Sequence, residues 1–143
     1  MRIGVPKEVK VHEYRVGLVP GSVRELAANG HEIVVETGAA ARIGISDEDY
    51  IRAGARILPR GDDVLAAADL IVKVKEPQAH EIAAMRAGQT LFTYLHLAPD
   101  RAQTLALMGQ GVTAIAYETV TSPAGRLPLL APMSEVAGRM AVQ

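Results

Sequence analysis

Leu70-Ile71-Val72-Lys73-Val74-Lys75-Glu76-Pro77, Thr90-Leu91-Phe92-Thr93-Tyr94-Leu95-His96 and Val112-Thr113-Ala114-Ile115-Ala116-Tyr117-Glu118 are three short apolar stretches with a common ending. Each runs into a charged or titratable residue: Lys75, His96 and Glu118. Residues 70–74, 90–95 and 112–117 read as strands. The intervening residues 78–86 and 100–108 carry helical apolar periodicity, with Gly88 just beyond the first. A strand that is followed by a helix and then another strand implies parallel pairing, because a parallel return needs a crossover. All three terminal residues then converge on one sheet edge. In open α/β sheets that edge, beyond the carboxyl ends of the strands, is where ligands bind.

Working outward, the same alternation extends to the amino terminus. Residues 2–5 form a short strand closed by Pro6. The stretch after Pro20 places Val23, Leu26 and Ala27 on one helical face and stops at Asn29-Gly30. Residues 31–36 read as a strand. Ser46 caps a helix through Ala53, with Asp47, Glu48 and Asp49 in its first turn. Residues 56–58 are a strand and residues 62–68 a helix. The expected fold class is therefore α/β, a doubly wound, mostly parallel sheet with helices on both faces. The loop at residues 121–126, with Ser122-Pro123-Ala124-Gly125, is the clearest joint. Beyond it Pro132-Met133-Ser134-Glu135 marks a helix start, with Ser134 a candidate N-cap. That helix is expected to run on through residues 137–142 to the last residue, uncapped, as though cut.

With 143 residues the chain fits one core of ordinary size. Lys plus Arg at 15 against Asp plus Glu at 16 gives a formal net charge of −1, which supplies no field for nucleic acid or anionic membrane. No cysteine is present, which removes disulfides, thiol nucleophiles and thiolate metal sites. No stretch reads as a signal peptide or membrane span, so a soluble, cytoplasmic protein is expected. The motifs G-x-S-x-G, H-E-x-x-H and the phosphate loop are missing, no metal site is read, and Gly38 to Gly44 lacks the glycine spacing of a dinucleotide fingerprint.

Four residues carry candidate chemistry. Pro77 keeps Glu76 out of helical geometry and leaves Lys75 at the rim. Period-two alternation puts Lys73 and Lys75 on one side, so one of the two reads as a solvated flank. His96 offers proton transfer near neutrality, or else simply fills its loop. Arg15, in Glu13-Tyr14-Arg15-Val16, has a planar fork suited to a carboxylate. Glu118 reads either as a site residue or as a solvated strand terminus. Two cations and one proton shuttle suit a small carboxylate whose neighbouring carbon exchanges a proton.

Beyond these readings, the chain resembles a known family. Arg2-Ile3-Gly4-Val5-Pro6-Lys7-Glu8, Glu13-Tyr14-Arg15-Val16, Val35-Glu36-Thr37-Gly38, Ile71-Val72-Lys73-Val74-Lys75-Glu76-Pro77, Tyr94-Leu95-His96-Leu97-Ala98-Pro99, Ala116-Tyr117-Glu118-Thr119 and Ala131-Pro132-Met133-Ser134-Glu135-Val136-Ala137-Gly138 resemble the N-terminal segment of NAD-dependent L-alanine dehydrogenases. Proton-translocating nicotinamide nucleotide transhydrogenases share the first motif, and resemble the chain less at Lys75 and His96. The resemblance implies a Rossmann-like or flavodoxin-like substrate domain over residues 1–131. Residues 132–143 would open an interdomain helix leading to an NAD-binding domain outside this chain. It implies reversible oxidative deamination of L-alanine to pyruvate and ammonium, with Arg15 and Lys75 binding substrate and His96 as general acid and base. Tyr94 and Glu118 would be supporting residues, and Met133 and Ser134 would face the nicotinamide half of NAD. It further implies a homo-oligomer, commonly a hexamer in the family, and no turnover by this chain alone. A self-associating α/β module without activity, a dimer through the final helix, is the non-enzymatic alternative, and a transhydrogenase component is a further one.

Overall fold

The computed structural model describes residues 1–142. The chain alternates as predicted: β1 (Arg2–Val5), α1 (Pro20–Ala28), β2 (Glu32–Glu36), α2 (Asp47–Arg52), β3 (Ala55–Leu58), α3 (Gly61–Ala67), β4 (Leu70–Val72), α4 (Ala79–Ala84), β5 (Thr90–Thr93), α5 (Arg101–Gln110), β6 (Thr113–Ala116) and α6 (Ala131–Met140). The six strands form one sheet in the order β3-β2-β1-β4-β5-β6, and every neighbouring pair is parallel. Chain order reverses between β1 and β4. There the loops leaving the two strands diverge and open a crevice, the topological switch point of a doubly wound sheet.

Local chemistry accounts for the boundaries. Ser46 accepts the Asp49 N–H while the Asp49 carboxylate accepts the Ser46 N–H, a reciprocal box that starts α2 as read. Gln78 and Glu81 do the same at α4, and Asp100 accepts the Gln103 N–H to start α5. The sheet's two faces hold separate cores. Val23 of α1, Tyr50 of α2 and Ala53 just beyond it pack on Ile3, Val5, Ile33 and Val35 on one face. On the other, Leu65 of α3, Ile82 of α4 with Met85 just beyond it, and Leu107 of α5 cover Ile71 and Leu91. Gly4 permits the close seating of α3: a Cβ there would lie 2.7 Å from the Ala68 Cβ.

Helices cover both faces over β1–β3 but only one over β4–β6, where Ile115 is exposed and Phe92 half-buried on the open side. Most boundaries fall within two residues of the reading, and the differences at the strand ends and the last helix bear on the site. β4, β5 and β6 stop two, two and one residues early, because the buried positions beyond them, Val74 and Leu95 among them, belong to bent segments. The last helix begins at Ala131, with Pro132 inside its first turn, so Ser134 is its fourth residue and Leu130 its N-cap. Ser134 therefore does not cap it; its own N–H donates to the Leu130 carbonyl. That helix ends at Met140. Gln143, to which it was expected to run, lies outside the described residues. Among these residues no helix is long and apolar enough to cross a membrane, and no group of three His, Cys, Asp or Glu is arranged to hold a metal.

Candidate active site

The loop after β1 crosses the switch point closely enough to touch β4. Gly17 makes this possible, since a Cβ there would lie 2.5 Å from the Val72 carbonyl oxygen. The buried Tyr50 hydroxyl ties the same loop down by donating to the Leu18 carbonyl at 2.7 Å, and burial pushes its pKa up to about 12. Arg15 is thereby delivered to a cleft of about 680 Å³ on the open face, lined by Val72, Phe92, Tyr94, Tyr117, Leu129 and Met133 among others. Phe92, Tyr117 and Tyr94 stack edge to face along its wall, with centroids 4.2 and 4.9 Å apart. Burial raises the Tyr94 pKa, so its hydroxyl stays protonated at neutral pH and donates to the Leu129 carbonyl.

Arg15 does not offer its whole fork. Nε and Nη2 donate to the two Glu13 oxygens at 2.8 and 2.6 Å, and Nη1 lies 3.5 Å from the Met133 sulfur. Arg15 beside it holds the Glu13 carboxyl below the ordinary range, and the charge of Lys75 adds to this. The bidentate pairing expected of Arg15 is thus already made on one edge, by a side chain of its own loop.

Lys75 and His96 sit on bent segments beyond β4 and β5, each held by the backbone rather than the side chain. Glu8, from the loop after β1, accepts the Val74 N–H at 2.7 Å and the Lys75 N–H at 3.4 Å. Glu118, from the single 3-10 turn after β6, accepts the Leu95 N–H at 3.0 Å and the His96 N–H at 2.8 Å. Gln103 donates to the Leu95 carbonyl, and the Thr93 hydroxyl donates to the Lys75 carbonyl, tying the two segments together. His96 has φ 49°, a left-handed conformation, and an exposed side chain.

The structure therefore brings Arg15, Tyr94 and Met133 into one cleft, with Lys75 close enough to act on Glu13. His96 and Ser134 stand outside that cleft's lining, both exposed. Lys73 overturns the expectation of a solvated flank. It is fully buried, with Nζ 2.7 Å from Glu81 and 3.4 Å from Glu8. Alternation holds here, with Val72 and Val74 both lining the cleft, but the opposite face that Lys73 takes is covered by Glu81 of α4 rather than open to water. Desolvation pushes the Glu8 pKa up, against the pull of Lys73 and the two amides. Sequence reasoning missed Glu8, Glu13 and Glu81. A lysine between Val72 and Val74 in an apolar run was the available signal for a buried counter-charge.

A parallel sheet of this order, with helices on both of its faces and a cleft beside its switch point, defines a doubly wound α/β domain. Residues 4–137 match the family described as alanine dehydrogenase/PNT, N-terminal domain, and the chain belongs to that family. An alanine dehydrogenase of Halomonas elongata is 57% identical over 143 residues, all of this chain and 38% of that protein. The chain thus spans about two fifths of that relative. A solved L-alanine dehydrogenase superposes with a TM-score of 0.95 at 52% identity, covering 100% of this chain and 39% of that one. A transhydrogenase from Sinorhizobium meliloti gives 0.78 at 32% identity, covering 82% of this chain and 35% of that one.

Proposed function

We propose that residues 1–131 are the substrate domain of an NAD-dependent L-alanine dehydrogenase, which interconverts L-alanine with pyruvate and ammonium. What supports this is Arg15 at the cleft, with Lys75 close enough to act on Glu13, and the backbone of Lys75 and His96 held at the adjacent β4 and β5 ends by Glu8 and Glu118. Arg15 Nη1 and the Lys75 ammonium bind the substrate carboxylate and its neighbouring oxygen or nitrogen by charge-assisted hydrogen bonds. The His96 imidazole gives and takes the proton at that neighbouring group as water or ammonia adds and leaves. Tyr94 closes the cleft wall by holding Leu129. The higher identity to alanine dehydrogenases than to the transhydrogenase favours this over the transhydrogenase reading.

NAD, when bound, supplies the hydride acceptor. The residues present fit one end of it only. Met133 puts a polarizable thioether at the cleft, suited to the face of a flat ring, and Ser134 beside it has an exposed hydroxyl; no glycine fingerprint is available for the pyrophosphate. Residues 132–143 accordingly begin a connection to a dinucleotide-binding domain, turnover requires that domain, and the protein works in the cytoplasm as a homo-oligomer. Calorimetric titration of this chain with pyruvate is expected to show weak, millimolar binding that Lys75→Ala abolishes. Absence of heat with the unaltered chain counts against a preformed site.

A second reading has its own support. Leu129, Met133, Val136 and Met140 are exposed on and before α6, beside the uncovered half of the sheet. Self-association through that surface predicts a concentration-dependent mass in light scattering, and a monomer throughout sinks it.

A further inference from the structure

Glu13 raises a question of sign. A carboxylate beside a cation that is meant to bind another carboxylate should weaken the site by repulsion. The geometry points the other way. A guanidinium has two edges that can hold a carboxylate in parallel fashion, the Nε/Nη2 side and the Nη1/Nη2 end. Glu13 occupies the side edge through Oε1 at 2.8 Å and Oε2 at 2.6 Å. The same Oε1 also accepts the Arg15 backbone N–H at 2.9 Å, so both ends of the residue are fixed by one carboxylate. The Glu13 side chain is only 7% exposed, against 44% for Arg15. Leaving the pair would strand a buried carboxylate, so Glu13 is poorly placed to swing aside for an incoming anion. The free end of the fork, with Nη1 at the Met133 sulfur, is the part presented to the cleft.

We infer that Glu13 is a positioning residue: by holding the side edge of Arg15 it aims the end edge into the cleft, so that a small monocarboxylate is met end-on. This rests on the reading of Arg15 as the carboxylate anchor. The role is distinguishable from simple electrostatics, because the two predict opposite changes when the charge at position 13 is removed. In Glu13→Gln, charge alone would tighten anion binding. Loss of aim weakens it, because the amide can accept from only one of the two donors and turns its own NH2 towards the other.

The test is a pyruvate titration of the isotope-labelled chain followed by NMR, with the Arg15 side-chain Nε–H signal recorded in the same spectra. The unaltered chain is expected to show a solvent-protected Nε–H and saturable shifts around Tyr94 and Met133. In Glu13→Gln that signal exchanges with water and the Kd rises about tenfold, the effect of losing one charge-assisted pair. Glu13→Asp keeps the charge but shortens the reach, and is expected to weaken binding as well, which guards against a Gln variant that folds poorly. Equal or tighter binding in folded Glu13→Gln overturns the inference alone. Absence of pyruvate shifts in the unaltered chain overturns the anchor reading and the inference with it.

Discussion

The ends of β4 and β5 are built alike and buried differently. At each, a glutamate from the loop beyond the neighbouring strand accepts two successive N–H groups, the second belonging to a residue with a proposed role in the chemistry. At β4 the glutamate is Glu8, buried beside Lys73 and Glu81. At β5 it is Glu118, half-exposed and, among the described residues, without an ion pair. A parallel ladder leaves N–H groups unpaired where it stops, and a carboxylate can take two at once. In water such an acceptor keeps its charge readily. Under a protein interior it requires a cation nearby, which Lys73 supplies at the β4 end from outside the cleft.

Three substitutions probe how far the likeness extends. Lys73→Met should have the largest effect, since it leaves Glu8 and Glu81 buried with no cation; removal of one member of a buried pair costs about 3–5 kcal/mol. Urea unfolding measures it, and a loss below about 1 kcal/mol would mean that water already screens this end. Glu8→Gln should cost less, about 1–2 kcal/mol, because Lys73 keeps Glu81 and one amide keeps its acceptor. Its pH signature is the sharper readout. A glutamate whose folded pKa is raised binds its proton more tightly in the fold than in the unfolded chain. Its contribution is therefore full below the ordinary glutamate range and is lost as pH rises through the folded value. Unfolding midpoints measured from pH 4 upward should fall for the unaltered chain over that window, and Glu8→Gln should flatten the fall. The smallest global change is expected for Glu118→Ala, about 1 kcal/mol or less at a half-exposed site. Its mark is local: hydrogen exchange should quicken at the Leu95 and His96 amides and stay unchanged at Val74 and Lys75. Quickening at all four would show that the Thr93 bridge joins the two ends into one unit.

Much of this was legible in the residues. Glycines, prolines and acidic first turns punctuated the elements in the right order, and the meeting of Lys75, His96 and Glu118 at one edge followed from parallel pairing alone. What failed did so for identifiable reasons. Val74 and Leu95 are apolar because they are buried, and burial beyond a strand end looks the same in sequence as a strand that continues. Lys73 does lie opposite Val72 and Val74, as alternation has it, but its burial was missed because nothing local announces that Glu81 of α4 covers that face. Ser134 was taken as a cap because the helix start was read within Pro132–Glu135, whereas the helix begins at Ala131 and takes in Pro132 as its second residue. Glu8 and Glu13 lie 66 and 2 residues from the partners they hold. The first distance is invisible to local pattern, and the second was passed over because a neighbouring carboxylate was not considered as a clamp.

The left-handed turn at His96 sets two selective pressures against each other. A side chain with a Cβ at φ 49° costs on the order of 1–2 kcal/mol that glycine avoids and asparagine partly recovers through local hydrogen bonds. Laboratory evolution for heat tolerance alone would thus favour Gly or Asn at this position, and each step in that direction would erase the imidazole. Under the role proposed for His96, the imidazole trades stability of the resting fold for reactivity.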